Sequence, residues 1–305
     1  MYSRGVDTRA RARLDVLLAA VLFSTGGVVI KACSMTGWQV ASLRSGIAAA
    51  TLLLVLPATR RGWSRRTWLV AVAYAATLCL YVQANKLTTA VNAIFLQSTA
   101  PLYLLLISPL LLRERVRPRE LVTMLALGLG LALFLAGGER PQPTAPDPDF
   151  GNVLAAVSGL TWALTVAGLR WLARSEGQRG GSPAGAAASA AAAGNVLVFL
   201  VCLPWALPLS DTTPGDWLGV AWLGAFQIAL AYVFLTRGVR RVPALAGALL
   251  LLLEPVLNSL WTWAVHGEVP GPWSGLGALT ILLATAAYAV ANTRRDRSLP
   301  QGGAP

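Results

Sequence analysis

Charge is scarce in this chain, and acid is scarcer than base. Only 12% of its 305 residues are charged, about half the usual share in soluble domains. Such a chain cannot cover itself with a solvated surface, which excludes an ordinary soluble domain. Histidine is reduced to His266, and the three cysteines, Cys33, Cys79 and Cys202, lie in or at the end of apolar runs without metal-ligand spacing. They read as packing residues, so neither a metal nor a cofactor is expected. No GxSxG elbow, Walker loop or histidine cluster is present, and Asp147 and Asp149, parted by Pro148, read as a solvated turn. The chain is therefore read as a non-enzyme, and the missing nucleotide loop excludes an ATP-driven pump. The net charge of +12 sits in short clusters between apolar runs and not on one face; no nucleic-acid partner is expected.

What is abundant is hydrocarbon, at 55% of the residues. A helix needs about 20 mostly apolar residues to cross a bilayer. Ten such runs occur, at 14–33, 38–59, 67–86, 91–112, 118–138, 151–172, 184–208, 216–236, 244–265 and 272–292. They are continuously apolar and do not alternate as barrel strands would. The expected fold is all-α: a polytopic membrane protein of ten transmembrane helices.

Basic residues give orientation, because they collect in short cytoplasmic loops. With the N-terminus inside, the cytoplasmic pieces hold Arg4, Arg9, Arg11 and Arg13; Arg60, Arg61, Arg65 and Arg66; Arg113, Arg115, Arg117 and Arg119; Arg170, Arg174 and Arg179; Arg237, Arg240 and Arg241; and Arg294, Arg295 and Arg297. Only Lys31, Arg44, Lys86 and Arg140 remain for the outer half. Both termini are expected in the cytoplasm, with the chain in a bacterial inner membrane. The basic leader before LDVLLAAVLFSTGGVVIKAC could mark a cleaved signal, but Lys31 spoils the small-residue cleavage pattern, and an uncleaved first helix is expected.

The chain also repeats itself. At a shift of 154 residues, Lys86 falls on Arg240, Ala90 on Ala244, Ala93 on Gly247, Pro101 on Pro255 and Glu114 on Glu268. At a shift of 139, Phe23 and Lys31 fall on Trp162 and Arg170. Five helices per copy is odd, so the copies must be inverted. This gives a first repeat at 1–138, an extracytoplasmic proline-rich linker at 139–150, a second repeat at 151–292 and a disordered tail at 293–305.

Within LLLLEPVLNSLW, residues 250–261, Glu254 stands ten residues from the start of its run, roughly 15 Å deep. An ionised carboxylate at that depth costs on the order of 3 kcal/mol. It must hold a proton, meet a cation or face water, and a group that changes charge with its surroundings can couple protons to conformational change. Pro255 leaves the Leu251 carbonyl without its helical partner, and Pro101 repeats that break in the first half. The alternative is a structural acid bonded to a tryptophan or serine, with the prolines as simple kinks. Asn258 and Trp261 follow Glu254 at helical spacing, while Tyr81 and Asn85, Gln97, Trp162 and Gln227 are polar or aromatic residues in apolar surroundings. Each could line a central site or serve helix packing. Arg44 could attract an acidic substrate group, pair with Glu254, or snorkel; Lys31 is read as snorkelling to the headgroups.

The segments EPVLNSLWTWAVHGE, APLYLLLISPLLLRERVRPRE, and FSTGGVVIKA followed by LRSGIAAATLLL resemble the EamA-like branch of the drug/metabolite transporter superfamily over residues 14–292. Phe23 and Ser24 stand where that family commonly has a tryptophan-glycine pair. The resemblance implies a ten-helix permease of two inverted repeats exporting amino acids or other metabolites. The expectation is a secondary transporter for a small molecule, partnered by the lipid bilayer, with a proton-independent facilitator or a non-transporting scaffold as alternatives. A duplicated chain suffices as a monomer, and a homodimer remains open.

Overall fold

A computed structural model describes residues 2–111, 118–138, 140–178, 182–238, 241–242 and 244–298. Among them no strand forms, and the chain is a bundle of helices: α1 (Tyr2–Ala32), α2 (Gly37–Val55), α3 (Arg65–Leu87), α4 (Ala90–Gln97), α5 (Ala100–Leu111), α6 (Pro118–Ala136), α7 (Pro148–Gly177), α8 (Pro183–Ala206), α9 (Pro214–Ala221), α10 (Ala231–Gly238), α11 (Ala244–Leu251), α12 (Leu253–His266) and α13 (Pro272–Ser298). Nine helical stretches among the described residues are long and apolar enough to cross a membrane. The run expected at 118–138 contains a shorter apolar helix, Glu120–Ala136. The protein is thus an all-helical, multi-pass membrane protein.

Local chemistry sets where the helices start. Thr36 and Gln39, Ser64 and Thr67, and Thr213 and Asp216 each form a reciprocal capping box that satisfies the first N–H groups. Pro183 and Pro214 occupy first helical turns, where a missing N–H costs nothing. Several limits differ from expectation. The second helix stops at Val55 because Pro57 starts a short 3-10 turn. The linker expected to reach residue 150 gives way to α7 at Pro148, whose start is tied down where Asp147 N donates to Leu87 O at 3.1 Å.

Three runs expected as single helices are interrupted. α4 ends at Ser98, whose φ and ψ are −67° and −5°, before α5 resumes at Ala100. α11 ends at Leu251, and Leu252, with φ −64° and ψ −14°, precedes α12. Ser98 and Leu252 are 154 residues apart, the shift that superposes Pro101 on Pro255. Between α9 and α10 the chain winds as a π-helix from Trp222 to Leu230, wide turns that often accompany functional residues.

Packing joins the two halves of the sequence. α3 lies against α7 and α8, α2 against α8 and the π-helical segment, α1 against α12 and α10, and α6 against α13. The largest buried apolar cluster is built from α1 to α9, the π-helical segment and α13, with Ile30, Tyr81, Leu96, Phe134 and Leu223 among its members. Large apolar side chains such as Leu54, Leu69, Leu125 and Leu218 point outward, as suits a surface solvated by lipid.

Candidate functional site

Glu254 is the second residue of α12 and is half-buried. Among the described residues it makes neither a hydrogen bond nor an ion pair; the buried ion pair present there joins Lys31 to Glu268. It lies within electrostatic reach of Tyr81, a buried residue of α3 that is also within reach of Arg44. Arg44 is 1% exposed, donates from Nη2 to Leu78 O at 3.3 Å and leaves Nε without a partner. Tyr74, Tyr81, Cys79 and Cys202 surround it. Neither the snorkelling open to Arg44 nor a pairing with Glu254 is what forms: the guanidinium turns inward between α3 and α8, with no carboxylate of the described residues on it.

Asn85, one turn after Tyr81, is fully buried; its amide nitrogen donates to Tyr81 O at 2.9 Å, and its oxygen is unpartnered. Trp162 reaches the same region through Tyr74, with ring centroids 6.3 Å apart. Arg44, Tyr81, Asn85, Glu254 and Trp162 therefore share a neighbourhood of unpaired charge and unsatisfied amide. Buried polar atoms normally find partners, so such orphans mark candidate ligand contacts.

A second group binds α12 to α1. Asn258 is 1% exposed and bridges two helices, accepting from Gly27 N at 3.2 Å and donating to Ala90 O at 3.3 Å. Trp261 Nε1 donates to Ser24 Oγ at 3.0 Å. Gln227, in the π-helical segment, packs its amide on Gly26 and keeps a buried oxygen unpartnered. Gln97 stands apart, its amide donating to Ser158 Oγ at 3.3 Å. Pro101 and Pro255 lie in the first turns of α5 and α12, just past the two interruptions.

Lys31 requires correction. It does not snorkel: its side chain is 2% exposed and ion-pairs with Glu268 at 2.9 Å, itself 1% exposed. Lys31 Nζ also donates to Thr88 O at 2.9 Å and to Thr144 O. The carboxylate is aimed back into the bundle by Gly267, whose φ of 67° ends α12 in the left-handed conformation. Its other oxygen accepts from Ala90 N at 2.9 Å, at the start of α4. Nearby, Asn152 Oδ1 accepts from Thr88 Oγ1 at 2.7 Å and from Asn92 Nδ2 at 3.0 Å. Glu268 and Asn152 were not legible as site residues. The only signal for Glu268 was its place opposite Glu114 in the repeat; Glu114 lies outside the described residues.

Comparison with known proteins decides the family. The EamA-like transporter family matches residues 12–136 and again residues 149–289. The chain belongs to the EamA-like transporter family. It is 29% identical over 257 residues to an uncharacterized transporter of Archaeoglobus fulgidus, covering 83% of this chain and 87% of that one. The uncharacterized transporter YyaM of Bacillus subtilis is 22% identical over 254 residues, covering 80% and 81%. A protein of known crystal structure, 22% identical, superposes with a TM-score of 0.61 over 93% of this chain and 98% of its own, which extends the likeness to the fold. This EamA-like protein is a membrane transporter.

Proposed function

We propose that this EamA-like protein is a secondary transporter that exports a small metabolite such as an amino acid, cycling between inward-open and outward-open states. Ten crossings, arranged as two inverted five-helix repeats in a bacterial inner membrane with both termini cytoplasmic, enclose a site at mid-depth. The observation that carries this reading is the pair of matched interruptions: 154 residues apart, Ser98 and Leu252 break two helices with nearly the same backbone angles, each three residues before a proline. Paired breaks in repeated helices point to a central binding site. The family's match on either side of the proline-rich linker supports the duplication.

Arg44, Tyr81, Asn85, Trp162 and Glu254 contact the solute or the coupling proton, while Asn258, Trp261 and Gln227 hold α12 and the π-helical segment on α1; Gln97 serves packing. Glu254, unpaired, exchanges a proton as the site changes sides. The test is flux in proteoliposomes, with the solute taken from a metabolite screen of cells with and without the protein. Glu254→Gln should transport without responding to a pH gradient. Undiminished gradient-driven flux in that variant would remove Glu254 from the proton step; flux by the unaltered protein that ignores the gradient would leave a facilitator, and no flux of any solute by the unaltered protein would leave a scaffold.

A further inference from the structure

Two charges removed from water are costly even when paired, so an ion pair that a fold buries to 2% and 1% exposure invites a reason. Lys31 and Glu268 sit 237 positions apart, in different halves of the chain. Glu268 holds both neighbours at once: Oε1 meets Lys31 at the end of α1, and Oε2 accepts from Ala90 N at the start of α4. At an α-helix N-terminus that oxygen also meets the positive end of the helix dipole. Lys31 in turn reaches Thr88 O and the linker at Thr144 O. His266, two residues before Glu268, bonds through Nε2 to Val28 O at 2.9 Å, one turn below Lys31. Every contact in this knot lies at one end of the bundle, opposite the helix ends that carry Arg60, Arg174 and Arg237. By the distribution of arginine that end is extracytoplasmic.

We propose that Lys31 and Glu268 form the outer latch of the carrier, closed in the conformation seen here and broken whenever the site opens outward. The proposal rests on the alternating-access reading above. A path to the outside between α1, α4 and α12 requires the end of α12 to leave α1 and α4, and Glu268, just past that end, clasps both, as Asn258 does further back along α12. While the pair is intact it biases the carrier toward outward closure; once it opens, both ions are rehydrated from the extracytoplasmic side. A bistable contact of this kind sets the ratio of the two states without touching the solute.

Thr88 is the reporter, because it is fully buried and its carbonyl accepts from Lys31. In a chain whose three native cysteines are replaced by alanine, Thr88→Cys should react slowly with a membrane-impermeant maleimide added outside. Adding Lys31→Met together with Glu268→Gln should speed that labelling on the order of tenfold, a shift in the fraction of outward-open carrier. Lys31→Arg, which still reaches Glu268, should label at the reference rate. An unchanged rate in the folded double variant overturns the latch, and so does Lys31→Arg labelling as fast as the double variant. Should the double variant aggregate in size-exclusion chromatography, Glu268→Gln alone, which keeps an acceptor for Ala90 N, takes its place: faster labelling supports the latch and an unchanged rate overturns it. Labelling needs no solute, so its outcome stands apart from whether any flux is found.

Discussion

The side-chain amide of Asn258 is clamped between Gly27 and Ala90, taking an N–H from α1 and giving one to the first carbonyl of α4. This one residue of α12 thereby fixes three helices drawn from both halves of the chain. The contact depends on Gly27 having no side chain. A Cβ there would overlap Asn258 Oδ1 and come within 2.9 Å of Ala90 Cβ, whereas one at Gly26 would meet only the flexible end of Gln227, at 3.1 Å.

Gly27→Ala should accordingly cost about 1–3 kcal/mol, the usual penalty of overpacking, and lower the thermal midpoint in detergent. Gly26→Ala should cost well under half as much, since the Gln227 amide can turn aside. Equal midpoints for the two variants would mean that α1 and α12 do not pack as described.

Arg44 places function against stability. A buried guanidinium with one carbonyl partner is poorly compensated, and hydrophobic replacement of such groups is often neutral or stabilising. Arg44→Met keeps the stem volume between α3 and α8 and removes the charge. Its expected signature is a thermal midpoint equal to or above the parent's, with loss of flux for a solute carrying an acidic group. A lowered midpoint would instead assign Arg44 to holding α2 against Leu78.

Much of the bundle was legible in the sequence because lipid imposes a simple rule: crossing segments must be long and apolar. The interruptions at Ser98 and Leu252 were also foreshadowed, since a proline frees the carbonyl four residues earlier wherever it stands. What hydropathy does not encode is which polar side chain meets which. Lys31 near a helix end has the same local sequence whether it reaches headgroups or a carboxylate 237 residues away, and only the packing of α12 on α1 decides. The π-helical turn around Gln227 is equally silent, because Trp222–Leu230 contains no proline and reads as ordinary apolar helix.

Cys79 on α3 and Cys202 on α8 approach with sulfurs 3.7 Å apart, beside Arg44. Oxidation by molecular oxygen with copper-phenanthroline as catalyst should join them, each thiol giving up its hydrogen as oxygen is reduced. Peptide mass spectrometry should find one intramolecular link and Cys33 still free, as Cys33 is buried against α9 at Gly219. A link involving Cys33 instead would contradict the packing of α3 on α8.

The two helix breaks are not equally furnished, and this separates their prolines. At the first, Ser98 Oγ donates to Ile94 O at 2.7 Å and Thr99 Oγ1 to Leu96 O at 2.6 Å, so hydroxyls replace part of the missing ladder. At the second, Leu252 and Leu253 have no side-chain donor to offer the carbonyls that end α11. Restoring an N–H should therefore help more at the second break. Pro255→Ala lets residue 255 donate to Leu251 O and should stabilise the protein by about 1 kcal/mol, the usual net worth of one hydrogen bond. Pro101→Ala should give less. Both should slow flux, because a straightened helix no longer opens its backbone toward the site, with the larger loss at Pro255. Thermal midpoints and initial flux rates on the same preparations check the pairing: a gain in stability at Pro255 without a loss of rate would show that the break at Leu252 plays no part in the cycle.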